Sequence, residues 1–127
     1  MDILPAERAL IVTGVLLLAI SALTGFVQAR QKPGSDAHSL WRVAHAGGTA
    51  GAVQLIALSA VVEHLKSALS DGFVFAIVLG VAGGTWAFFV GPLLRALGAD
   101  RVARRVNLFG ACLAGPAYLA LPLVLLR

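Results

Sequence analysis

The chain has 127 residues, 59% of them hydrophobic and 13% charged, with 14 glycines, one cysteine and a formal net charge of +4; its mean hydropathy is +0.90. A soluble domain carries about 45–50% apolar and about 25% charged residues. The composition therefore excludes a soluble globular domain and a disordered chain, and the single cysteine excludes a disulfide scaffold. What remains is one compact, polytopic, all-α membrane unit.

A helix needs about 20 mostly apolar residues to cross the bilayer core. Four stretches meet this: Ala9–Ala29, Val43–His64, Gly72–Arg95 and Val106–Leu126. They are continuously apolar rather than alternating, which argues against a membrane β-barrel. The connections are short, so sequential helices become antiparallel neighbours in an integral membrane four-helix bundle. Asp2 and Glu7 stand where a signal peptide would be basic, and the first stretch is expected to remain as a mature helix. Arg30, Lys32 and Arg42 in the first loop share a side with Arg95, Arg101, Arg104 and Arg105 around the third, against Arg8, Lys66 and Arg127 on the other. The positive-inside rule places the first and third loops in the cytoplasm, in a bacterial inner membrane. These cations suit anionic lipid headgroups; nucleic acid is not an expected partner.

No Asp, Glu, Lys or Arg falls at the centre of any stretch; Glu63 and His64 lie together near the end of the second. A proton-coupled exporter needs an ionisable group in mid-membrane, so this class is disfavoured. The mid-span polar residues are mild ones, Thr13, Ser21, Thr24, Thr49, Gln54, Ser59 and Thr85, suited to hydrogen bonds within and between helices. Gly47 and Gly51 form a small-xxx-small pair, and Gly80, Gly84, Ala87 and Gly91 recur at helical spacing. Such stripes allow helix backbones to approach closely, or clear a surface for a flat ligand such as a porphyrin; spacing alone does not separate the two.

His45 stands in the run Trp41-Arg42-Val43-Ala44-His45-Ala46-Gly47-Gly48-Thr49-Ala50-Gly51. On a helix Gly48, Thr49 and Ala52 share its face. An imidazole beside small residues offers a neutral nitrogen and room for a macrocycle, the needs of an axial haem ligand. The structural alternative is a histidine bonded to a backbone carbonyl or a headgroup. His64 lies roughly 28 Å along the same helix at about 1.5 Å per residue and cannot share an iron with it. His38 falls in the first loop. No cluster of His, Cys and carboxylates has zinc spacing, Cys112 reads as a small buried hydrophobe, and without C-x-x-C-H there is no covalent haem.

The stretch from Pro33-Gly34-Ser35 through Trp41, Ala44, His45 and Gly47, with Ile77-Val78-Leu79 and Pro116-Ala117-Tyr118-Leu119 further on, resembles the styrene oxide isomerases. The resemblance covers nearly the whole chain and lies in the order and spacing of these motifs. It implies a homotrimer binding haem b between subunits, with His45 as the iron ligand. It implies that ferric iron acts as a Lewis acid on the oxygen of a small hydrophobic epoxide. The C–O bond opens toward a cation, a hydride shifts, and an aldehyde forms in a dry pocket. Arg42 is a candidate partner for a haem propionate, and Gly48 and Thr49 are candidate cofactor neighbours. Two positions depart from the family: its asparagine six residues after the histidine is Gly51 here, and its third-helix tyrosine is Phe88. Neither side chain can hydrogen-bond an epoxide. Three readings stay open: a membrane haem isomerase, a haem-binding membrane protein without this activity, and a cofactor-free structural protein.

Overall fold

The computed structural model describes residues 6–125, with the side chains of 63, 64, 68 and 123–125 excepted. Among the described residues it is helical throughout apart from its connections: α1 Ala6–Ala29, α2 Asp36–Ala68, α3 Asp71–Ala96 and α4 Asp100–Leu125. The side chains of Glu63 and His64, and the residues Asp2, Leu126 and Arg127, lie outside what is described.

The turn after α1 is fixed by Gly34, whose φ of 79° suits a residue without a Cβ. Ser35 then caps α2, its Oγ accepting the backbone N–H of His38 at 3.1 Å, with Asp36 in the first turn. This cap starts α2 at Asp36 rather than Val43, so much of the expected first loop is helix. His38 accordingly lies on a helical turn, with Nε2 3.4 Å from Gln28 Nε2. His45 stands ~13 Å into the helix at ~1.5 Å per residue rather than at its head. Gly98, at φ 84°, turns the chain between α3 and α4.

Among the described residues, three helical stretches, Ala6–Ala29, Asp36–Val62 and Asp71–Ala96, are long and apolar enough to cross a membrane. α4 opens on the charged turn of Asp100, Arg101, Arg104 and Arg105. Pro92, Pro116 and Pro122 lie inside helices, as membrane helices tolerate when neighbours satisfy the freed carbonyls.

α1 packs on α2, α2 on α3 and α3 on α4. Among the described residues α1 and α4 do not touch. The unit is therefore an open row of helices rather than a closed bundle. Close approach at small residues explains the pairing. A Cβ on Gly14 would meet Ile56 Cγ1 at 2.8 Å and the Ala52 carbonyl at 3.0 Å, so α1 lies against α2. Gly80 faces Ala117 and Leu113, Gly84 faces Ala114, and Gly110 faces Ala87, so α3 and α4 interlock. In lipid such close packing carries the association that hydrophobic burial supplies in water. Leu10, Leu17, Leu55, Val62, Leu65, Val81 and Phe89 fill the seams. Cys112, expected to be buried, faces outward on α4, because the small-residue face of that helix is turned to α3.

Candidate functional site

α1 delivers Ser21, Thr24 and Gly25 to one face at helical spacing, and α2 brings His45 and Thr49 against them. His45 Nδ1 lies 2.7 Å from the backbone carbonyl of Ser21. A carbonyl oxygen only accepts, so in the neutral imidazole Nδ1 carries the proton and Nε2 the lone pair. The Ser21 hydroxyl is fully buried and donates to the carbonyl of His45 at 2.7 Å. It also lies 2.9 Å from Thr49 Oγ1, which itself donates to the His45 carbonyl at 3.0 Å. Thr24 Oγ1 donates to the Ser21 carbonyl at 2.7 Å. The ring is thus held from α1 while remaining half-buried.

This donor set fits an axial iron ligand. Metal-bound histidines characteristically donate the second ring N–H to a carbonyl or carboxylate, which fixes the tautomer and raises ligand basicity. Among the described residues there is no group of three or more His, Cys, Asp or Glu able to hold a bare metal ion.

The other sequence candidates fall into two groups. Gly48 does not open space beside His45: a Cβ there would meet Phe89 Cδ2 at 2.7 Å and Ser21 Oγ at 2.9 Å. Its missing side chain is filled by the Phe89 ring, which stacks edge-on against Trp86 with centroids 6.2 Å apart. Thr49 is tied into the Ser21 bonds, on the protein side of the ring. Gly51 is filled in the same way, by Thr85 Cγ2 at 2.5 Å and Leu17 Cδ2 at 3.5 Å. The glycines of this seam therefore serve helix packing. Ala46 and Ala50 are exposed on the flank of α2 next round from His45, while Gly47 faces α3, a Cβ there lying 3.8 Å from the Phe88 carbonyl. Arg42 is exposed one turn earlier on the same helix, and Phe88 is 44% exposed on α3.

Sequence reasoning missed Gly25 and the pairing of Ser21 with His45. A Cβ on Gly25 would sit 2.9 Å from both Cε1 and Nδ1 of His45, so the bare backbone there admits the ring. The available signal was a Ser-x-x-Thr-Gly run in an otherwise apolar stretch. Among the described residues, two buried side-chain polar atoms have no partner, Thr85 Oγ1 and Asn107 Oδ1. Thr85 lies at the Gly51 notch, and Asn107 packs into the space left by Gly91.

A model of the styrene oxide isomerase family matches residues 6–126. No curated protein and no solved structure matches the chain. With three helices able to cross a bilayer and a family match over nearly its whole length, this is an integral membrane protein, and the chain belongs to the styrene oxide isomerase family.

Proposed function

We propose that the protein is a haem b-dependent membrane isomerase that converts small hydrophobic epoxides to aldehydes. The observation that carries the reading is the bond from His45 Nδ1–H to the Ser21 carbonyl at 2.7 Å, in a chain of this family. It leaves Nε2 as a neutral, oriented base on a half-buried ring.

When bound, the haem supplies a Lewis acid for the epoxide oxygen. His45 would hold the iron through Nε2, and the Ser21 carbonyl keeps the ring from rotating. Arg42 would pair with a propionate by charge-assisted hydrogen bonds. Ala46, Ala50 and Val53 give the outer flank of α2 an apolar surface that excludes water, which would otherwise capture the opened epoxide as a diol. Rearrangement to an aldehyde moves a hydride within the substrate, so no side chain need accept or release a proton. The scarcity of mid-helix acids and bases suits this chemistry.

The open helix row supports assembly with further copies, and a trimer sharing its haem sites between subunits belongs to this reading. α4 crosses the bilayer with the other three helices. The basic loops lie on the cytoplasmic side of a bacterial inner membrane.

One observation favours a second reading, a haem-binding protein without this activity. At the two positions where the family holds the epoxide, Gly51 is packed by Thr85 and Phe88 offers no hydrogen-bonding group. Incubating the detergent-purified protein with styrene oxide and resolving the products by gas chromatography decides between them. Aldehyde in excess of the background supports the isomerase. A haem-loaded preparation without aldehyde supports the second reading, and a preparation with neither haem nor product overturns both.

A further inference from the structure

We infer that Gly25 and Thr24 of α1 are positioning residues that set the tautomer and donor strength of His45 through the single carbonyl of Ser21. Three observations converge on that oxygen. It accepts His45 Nδ1–H at 2.7 Å and the Thr24 hydroxyl at 2.7 Å. In an α-helix it also faces the amide of residue 25, four positions on. The ring reaches it only because residue 25 has no side chain: a Cβ there would lie 2.9 Å from Nδ1 and Cε1 and 3.2 Å from Nε2. Ser21 is fully buried and Thr24 is 5% exposed, so no water competes for the oxygen.

The division of labour follows from hydrogen-bond chemistry. Gly25 permits the bond, and the bond fixes the tautomer. Thr24 shares the acceptor with the ring and the helix amide, and donors that share one oxygen each bind it less strongly than they would alone. Thr24 therefore restrains the pull of the carbonyl on the Nδ1 proton, and with it the basicity passed through the ring to Nε2. The Ser21 hydroxyl lies 3.3 Å from Nδ1, but its one proton goes to the His45 carbonyl at 2.7 Å, so the shorter bond from Nδ1–H to the Ser21 carbonyl sets the tautomer. For its purpose the inference rests on the haem reading; its geometry stands without it.

The test uses the full chain in detergent micelles, labelled with nitrogen-15 at histidine, with His38→Gln and His64→Gln assigning the signals. The wild type is expected to show a protonated Nδ1 and a bare Nε2 at His45. Gly25→Ala displaces only a ring at the end of a side chain, so the fold is expected to survive by circular dichroism. The Nδ1 proton signal should then be lost, the tautomers should mix, and haem titrated into the protein should bind about 10–100-fold more weakly. Thr24→Val keeps the shape and frees the carbonyl; the tautomer should persist and the Nδ1 proton resonance should move downfield. Ser21→Ala should leave the tautomer as it is.

A bare Nδ1 in the wild type overturns the inference, as does a folded Gly25→Ala protein with wild-type signals. If Gly25→Ala fails to fold, Thr24→Val decides, and an unmoved Nδ1 proton overturns it. A wild type that takes up no haem yet shows the expected tautomers and variant shifts refutes the haem reading and leaves the positioning intact. Haem uptake undisturbed in Gly25→Ala, with the tautomer unchanged, does the reverse.

Discussion

The notch at Gly51 gives a quantitative test of how α2 and α3 meet. A Cβ there would stand 2.5 Å from Thr85 Cγ2 and 3.5 Å from Leu17 Cδ2, against an ordinary carbon–carbon contact of about 3.5–4.0 Å. Gly51→Asn, which introduces the asparagine that the resemblance implies for this position, therefore forces one helix or the Thr85 side chain to move by roughly 1 Å. Overpacking of this kind costs about 1–3 kcal/mol. An unpaired buried carboxamide adds about 1–3 kcal/mol, and losing a helix-interior glycine returns only a few tenths. Thr85→Ala removes the obstructing methyl together with a buried hydroxyl that has no partner. Those effects oppose each other, and its net change should fall within about 1 kcal/mol. The double variant relieves the collision, so the two substitutions should be coupled favourably by about 1–3 kcal/mol. Titration with sodium dodecyl sulfate in mixed micelles, followed by circular dichroism, measures each corner of the cycle. Additivity to within about 0.5 kcal/mol would refute the packing account of this glycine. The same double variant places that carboxamide on α2, and its styrene oxide turnover should exceed that of Gly51→Asn alone.

Other substitutions bear on the remaining contacts. Gly84→Ala drives a methyl into Ala114 and to 3.1 Å from the Gly110 carbonyl, and should destabilise the α3–α4 pair by about 1–3 kcal/mol in the same unfolding assay. Gly72→Ala meets nothing within 4 Å and should instead stabilise by roughly 0.4–1 kcal/mol. Tyr118→Phe removes the hydroxyl that donates to Gln54 Oε1 at 3.0 Å across α4 and α2, with an expected loss of about 0.6–1.7 kcal/mol. Glu7→Gln breaks a 3.1 Å ion pair to Lys66; an exposed pair of this kind contributes little, so the unfolding midpoint should scarcely move.

The helices were legible in the sequence because lipid demands long unbroken apolar runs, and α1 and α3 start and stop close to theirs. The start of α2 was harder to see. Its first turns carry Asp36, His38 and Ser39, whose polarity reads as loop, while the Ser35 cap that makes them helical is a local signal of few residues. The open row could not be read at all. Which glycine meets which side chain depends on pairings such as Gly84 with Ala114 and Gly14 with Ile56, and these join distant parts of the chain. The site divided in the same way. His45 stood out by its chemistry, and the small residues around it were visible as a group. Helical spacing indicated that Gly48 and Thr49 share its face, but not that Phe89 and Ser21 already occupy that side. The residues that matter most for the ring, Ser21 and Gly25, lie on another helix, and no periodicity within one stretch connects them to His45.

In the proposed function His45, held through Nδ1, would ligate a haem iron through Nε2. The most direct measurement is the absorption spectrum of the detergent-purified wild type beside His45→Ala, each before and after addition of haemin. A Soret band is expected in the wild type and should be lost or shifted in the variant. A wild type that stays colourless after haemin, or a band that is the same in both proteins, would contradict it.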